Sequence, residues 1–218
     1  MRKLFVKVCG VTSPEDAVAV VEAGADAIGL VFWPRSPRAV TVERARAIGD
    51  ALPPFVVRVG VFVDAGRDEM ARIADEARLD LLQLHGDEPP EAFADLPRRA
   101  LKAVRVGDGF VPGDALRYEG RAAGLLLDTR ATVAPGGTGR AFDWSLARGV
   151  REGSRFLLLA GGLTPENVRA ALEAVRPDGV DASSSLESAP GKKDHARVRA
   201  FVDAVRAAQA GPGRDEGA

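Results

Sequence analysis

Short aliphatic runs alternate with longer stretches of helical periodicity from one end of the 218-residue chain to the other. Strand-like runs fall at 4–9, 27–32, 56–63, 81–84, 100–106, 124–128, 155–160 and 179–182. Between and after them, helical spacing of apolar positions covers 14–23, 42–51, 68–77, 90–95, 112–118, 144–150, 165–175 and 193–208. The helix starts carry chemical markers. Ser13-Pro14-Glu15-Asp16 offers an N-cap hydroxyl, a proline in the first turn and acids at the positive helix end. Thr164-Pro165-Glu166 repeats the device. Strands alternating with helices over short connections imply a parallel sheet.

Eight such units predict an α/β protein of the (β/α)8 barrel class, a fold that typically needs ~250 residues. A doubly wound open sheet is the alternative. It usually has fewer strands, and no GxGxxG follows the first one. Residues 1–208 read as one barrel domain. The segment 209–218, rich in Gly, Ala and charge, reads as a frayed tail.

Side chains alternate between the two faces of a strand. On the first strand, Leu4, Val6 and Val8 form an aliphatic face suited to the helices, which turns Lys7 and Cys9 inward. The same rule applied to the third strand assigns Val57, Val59, Val61 and Val63 to the helices. Arg58, Gly60, Phe62 and Asp64 then face the interior. Gln83, His85, Asp128 and Asp181 complete the inward set. Charges inside a barrel are costly unless paired, and Asp181 on the last strand neighbours Lys7 on the first. Cys9 and Asp128 end their strands, at the face where such barrels build active sites.

Composition narrows the classes. A formal net charge of -1 argues against a nucleic-acid or membrane-surface partner. One cysteine excludes an intramolecular disulfide framework, and two histidines leave little for a metal centre. Lys3 and Lys7 interrupt the opening apolar residues, so these do not read as a signal peptide. No run approaches the ~20 apolar residues of a membrane span. The expectation is a cytoplasmic protein.

Two loops have the chemistry of a phosphate site. Gly161-Gly162 follows the seventh strand and leads into a helix, while Ser183-Ser184-Ser185 follows the eighth. Both can present backbone N–H groups to an anion at the usual phosphate position of this fold. Gly136-Gly137-Thr138-Gly139, after the sixth strand, has the composition of a lid. After the second strand, Phe32-Trp33-Pro34-Arg35-Ser36-Pro37-Arg38 combines aromatic rings, rigid prolines and guanidinium groups. One of Arg35 and Arg38 is suited to an aromatic carboxylate, which arginine binds through paired hydrogen bonds.

Taken in order, KVCGVT (7–12), GADAIGLVFWPRSPRAV (24–40), VGVFVD (59–64), LQLHGDE (82–88), LLLDT (125–129), GGTGRAFDW (136–144), LAGGLTPENV (159–168), GVDASS (179–184) and PGKKDH (190–195) closely resemble the phosphoribosylanthranilate isomerase family. The resemblance implies a single barrel that isomerises an aminoaldose phosphate to an aminoketose phosphate, an Amadori rearrangement in tryptophan biosynthesis. It implies no metal and no organic cofactor. It implies Cys9 as general base, Asp128 as general acid and Arg38 as the carboxylate anchor. Gly161, Gly162, Ser183 and Ser184 would hold phosphate, and Asp181 would lie near the sugar. Lys7, Gln83 and His85 are possible supporting residues, and Lys7 supplies a cation that favours a Cys9 thiolate. The partner implied is a small phosphosugar, bound by a monomer or a homodimer. One position departs: Ser185 stands where the family usually has glycine, which fits only if its φ is negative.

Rival readings remain at this level. Another phosphosugar barrel, such as an indole-glycerol-phosphate synthase or a histidine-pathway isomerase, would share the phosphate loops but not the paired KxCG and LLDT segments. A non-catalytic barrel that binds phosphoribosyl ligands would have no need of both Cys9 and Asp128.

Overall fold

The computed structural model describes residues 3–107, 109–129 and 144–210. Eight parallel strands close into a barrel in sequence order: β1 (Phe5–Cys9), β2 (Ala27–Val31), β3 (Val57–Phe62), β4 (Leu81–Leu84), β5 (Ala100–Val106), β6 (Gly124–Thr129), β7 (Leu157–Ala160) and β8 (Gly179–Ala182). The ring shuts where β8 pairs with β1, with Lys7 opposite Asp181. The outer layer contains α1 (Pro14–Glu22), α2 (Val42–Asp50), α3 (Arg67–Glu76), α4 (Pro112–Leu116), α5 (Trp144–Gly153), α6 (Val168–Val175) and α7 (His195–Ala210). After β8 come a 3-10 turn (Ser184–Leu186) and the short hairpin β9 (Glu187–Ala189) and β10 (Lys192–Lys193).

The first helix-start marker acts as expected. The Ser13 hydroxyl accepts from the Asp16 amide at 3.1 Å, and Thr41 does the same for Arg44 at 3.2 Å. The helix expected at 90–95 is only a 3-10 turn, Pro90–Phe93. The helix expected from 165 starts at Val168, because Thr164 and Asn167 close a turn first, the Asn167 side chain accepting from the Thr164 amide at 2.8 Å. α7 continues through Gln209, whose side-chain oxygen accepts from the Leu4 amide at 3.3 Å. Residues 211–218 of the expected tail and the Gly136–Gly139 segment lie outside the described residues.

The core has two layers. Val6, Val8, Ile28, Leu30, Leu84 and Leu127 pack outward against the helices. Leu101, Ala103, Leu126, Leu158 and Ala160 fill the barrel interior under β5 to β7. Facing assignments from sequence hold for β1, β4, β6 and β8 but are reversed for β3. Phe62 packs outward and stacks on Phe32 with centroids 5.3 Å apart, while Val61 and Val63 line the central cavity. Arg58 therefore lies outside the barrel, in a bidentate pair with Asp80 at 2.8 Å for each bond. A barrel interior accepts aliphatic side chains as readily as the helix layer does, so an all-valine face did not decide direction. Asp64 is also outside the cavity. It sits at φ 50° after β3, and its carboxylate accepts from the Asp87 amide at 2.8 Å.

The reversed β3 has a measurable consequence. The Arg58–Asp80 pair is partly solvated, so Arg58→Met should shift stability by no more than ~1 kcal/mol and leave turnover unchanged. A loss of several kcal/mol on chemical denaturation would return Arg58 to the interior.

Candidate active site

The C-terminal ends of the strands surround a cavity of ≈ 390 Å³. Cys9, Gln83, His85, Asp128 and Asp181 line its floor and walls, with Arg38 and the loops around Gly161-Gly162 and Ser183–Ser185 at its rim. Every site residue expected from sequence except Lys7 lines this one cavity. Lys7 lies just beneath, its ammonium 3.0 Å from Asp181 Oδ2, and both side chains are buried.

Lys7, Cys9 and Asp181 form one electrostatic unit. Burial alone would lower the Lys7 pKa, but Asp181 and Cys9 outweigh it and leave the ammonium favoured. Burial pushes the Cys9 thiol up against the attraction of Lys7, and Asp181 adds to the rise. Burial also pushes the Asp181 carboxyl up despite Lys7. Lys7 thus serves two acids, with Lys193 adding a second, smaller attraction at Cys9, and the groups titrate together. Lys7 stands where sequence placed it, yet it does not leave Cys9 below its ordinary pKa. Desolvation is the reason.

Gly29 makes room for this unit. It interrupts the aliphatic β2, and a side-chain carbon there would come 2.6 Å from Cys9 Sγ and 3.1 Å from Lys7 Nζ. Sequence reasoning passed over it, although a glycine inside a strand is a known sign of close approach.

Across the cavity, His85 Nε2 lies 3.2 Å from Asp128 Oδ2, and Gln83 Nε2 lies 3.3 Å from His85 Nδ1. β6, which carries Asp128, is separated from β1 by β7 and β8. The turn presenting His85 is fixed from outside the barrel. Glu88 accepts from the Gly86 and Asp64 amides at 3.0 Å and pairs with the buried Lys102 at 2.6 Å. Lys102 also donates to the Gly86 carbonyl at 2.7 Å. Arg105, absent from the expected set, lines the same wall and donates to the His85 carbonyl at 3.0 Å. Its position on the inward face of β5, in step with Leu101 and Ala103, was legible in principle.

The rim loops depend on glycine and are tied to each other and to the strand ends. Gly161 and Gly162 take φ of 87° and 65°, which frees their amides from the usual side-chain restriction. The Asn167 amide group donates to the Gly162 carbonyl at 2.9 Å and ties the loop to α6. Ser183 spends its hydroxyl on the Cys9 carbonyl at 2.9 Å, so its share in binding an anion falls to the backbone. Ser185 has no positive φ, and its hydroxyl donates to the Leu163 carbonyl, joining the two loops. That bond accounts for a serine at the family's usual glycine position. Of the two candidate arginines, Arg35 is exposed and Arg38 lines the cavity.

The family model for N-(5'-phosphoribosyl)anthranilate (PRA) isomerase matches residues 6–204. The N-(5'-phosphoribosyl)anthranilate isomerase of Pseudomonas aeruginosa is 56% identical over 208 residues, covering 94% of this chain and 97% of that protein. A structure of phosphoribosyl anthranilate isomerase in complex with reduced 1-(o-carboxyphenylamino)-1-deoxyribulose 5-phosphate is 42% identical, with a TM-score of 0.85 and coverage of 94% and 100%. A structure of monomers generated from the dimeric enzyme of Thermotoga maritima is 41% identical, with a TM-score of 0.84 and the same coverage.

The tight seat of Cys9 against Gly29 supplies a test that removes no titrating group. Gly29→Ala should displace Cys9 and Lys7, cost at least ~10²-fold in kcat/KM and destabilise by ~1–3 kcal/mol through overpacking. Steady-state kinetics at the wild-type level in a folded variant would show that the seat does not matter.

Proposed function

This chain belongs to the N-(5'-phosphoribosyl)anthranilate isomerase family, and we propose that Cys9 is the general base and Asp128 the general acid of its reaction. The enzyme converts N-(5'-phosphoribosyl)anthranilate to 1-(2-carboxyphenylamino)-1-deoxyribulose 5-phosphate in tryptophan biosynthesis, and it binds a small phosphosugar. The observation that carries the residue assignment is that Cys9 and Asp128 reach one cavity from β1 and β6, each beside a group able to hold or exchange its proton.

The chemistry needs one acid and one base. The sugar ring opens as Asp128 protonates the ring oxygen and the bond to the anomeric carbon breaks, leaving an iminium. Cys9 takes the proton from C2′ to give an enolamine, which tautomerises to the ketone. Each proton transfer is worth roughly 10²–10⁴-fold. Lys7 balances the thiolate that Cys9 must become. His85, held between Gln83 and Asp128, orients the acid. Gly161, Gly162, Ser183 and Ser184 hold the phosphate, Arg38 the anthranilate carboxylate, and Asp181 faces the sugar.

The same reading takes the location as cytoplasmic and the oligomer as a homodimer. The T. maritima relative is described as dimeric. Here Phe55 is 96% exposed, and Phe5 and Val57, also exposed, begin β1 and β3 at the barrel end opposite the cavity. Among the described residues, no helix is long and apolar enough to cross a membrane.

Three measurements check these assignments. Cys9→Ser and Asp128→Asn should each lose at least ~10²-fold in kcat while keeping the fold and the affinity for a product analogue. Near-wild-type kcat in either would remove that residue from its role. Because the thiol is raised and must ionise to act, kcat/KM should climb with pH above neutrality. Lys7→Met should push that rise to higher pH, since it deletes the cation that favours thiolate, and an unmoved profile would show that Lys7 does not serve Cys9. Light scattering should give twice the 22.9 kDa chain mass for the wild type and a single chain mass for Phe55→Ser. A wild-type monomer would end the dimer reading.

A further inference from the structure

Two buried charged groups at the rim take no part in the mechanism above. Glu187 begins β9 and Lys193 ends β10, and both side chains are almost wholly enclosed, at 4% and 0% exposure. They pair at 2.9 Å. Glu187 also takes two bonds from Arg38, from Nε at 2.8 Å and from Nη2 at 2.6 Å. Lys193 donates to the Cys9 carbonyl at 2.7 Å and to the Ser183 carbonyl at 3.4 Å. Burial alone would raise the Glu187 carboxyl, but Arg38 and Lys193 hold it below the usual range, so it stands as a carboxylate between two cations.

A guanidinium offers five N–H donors, with two edges that can grip a carboxylate through paired bonds. Glu187 occupies the Nε–Nη2 edge of Arg38, which leaves the Nη1–Nη2 edge for a second carboxylate. Packing fixes its direction, because Arg38 lies across Gly10. That glycine has φ 73°, and a side-chain carbon there would collide with Arg38 Cδ. Without a carboxylate at Glu187, the guanidinium would be free to swing away from the rim.

We infer that Glu187 is a positioning residue for substrate recognition, locking Arg38 so that its free edge meets the anthranilate carboxylate, with Lys193 fastening the lock to the strand ends that carry Cys9 and Ser183. The inference rests on Arg38 as the carboxylate anchor. A carboxylate that holds two cations leaves this cluster with one net positive charge, which suits an anionic group at the rim. The β9–β10 hairpin thereby becomes part of the binding site although neither Glu187 nor Lys193 lines the cavity. Asp16 secures the hairpin in turn, accepting from the Lys193 amide at 3.0 Å and from His195 Nε2 at 2.7 Å.

A double-mutant cycle with Arg38 tests this. Glu187→Gln should raise KM about tenfold and change kcat less than threefold, while the inhibition constant of inorganic phosphate stays at its wild-type value. Arg38→Met should raise KM at least as much, and Arg38→Met with Glu187→Gln should raise it no further. A purely structural role for Glu187 would instead lower the melting temperature and add its own KM effect to that of Arg38→Met. Should Glu187→Gln prove too unstable to assay, Glu187→Gln with Lys193→Met removes one charge of each sign, leaves Arg38 equally unheld and carries the same KM expectation. An unchanged KM in the Glu187 variant, or additive effects in the cycle, overturns the inference while the Arg38 assignment stands. If Arg38→Met itself leaves KM unchanged, the carboxylate anchor falls and the inference falls with it.

Discussion

A lysine ammonium sealed inside a barrel must have a counter-charge, and Lys7 meets this demand through Asp181, 3.0 Å away across the β1–β8 seam. Removing one partner of a buried pair typically costs ~3–5 kcal/mol, because the other charge is stranded. Much of the local sequence answers to this pair. Gly29 is small because Lys7 and Cys9 occupy the space a side chain would take. The seam residues fix the register in which β8 closes the ring. Cys9 lies two residues beyond Lys7 on the same face, so it inherits both the cation and the competing acid.

That competition gives the catalytic end its character. Desolvation raises both acids, and it outweighs the attraction of Lys7 for each and the smaller attraction of Lys193 for Cys9. A proton moving on or off Cys9 is therefore felt by Asp181, which also sees the charges of Asp128 and His85. Cys9 and Asp128, the proposed base and acid, are thereby linked through Asp181 at the floor of the cavity. Outside the barrel, a second enclosed pair, Lys102–Glu88, fixes the turn that carries His85, and a third, Lys193–Glu187, fixes the rim. Three buried ion pairs thus position three parts of one site, while the aliphatic interior under β5 to β7 supplies the rigid base.

Much of this was legible before any coordinates. Alternation of strand and helix located eight strands within a residue or two, and strand ends marked Cys9 and Asp128. The proposed phosphate loops were readable because backbone-driven anion sites need glycine at definite places. β3 was misread because alternation shows two faces without saying which is inside, and its valines suit either layer. Arg58 and Asp64 were misplaced for that reason. The helix at 90–95 shrank to one turn because flanking prolines allow a start without sustaining a ladder. Glu187, Lys193 and Glu88 were given no role because their partners lie on distant segments, and no local pattern records a pairing made only in three dimensions. Arg105 and Gly29 were visible by position, and the aliphatic runs around them hid it.

The shared charge at Lys7 can be observed on one atom, because Cys9 is the sole cysteine of the chain. The rate of Cys9 alkylation by iodoacetamide, followed against pH, reports its ionisation without turnover. In the wild type the midpoint should lie above that of an ordinary cysteine. In Asp181→Asn, where the rival anion is gone and Lys7 remains, it should fall. A midpoint that stays put or rises in Asp181→Asn would contradict the claim that Cys9 and Asp181 share one cation.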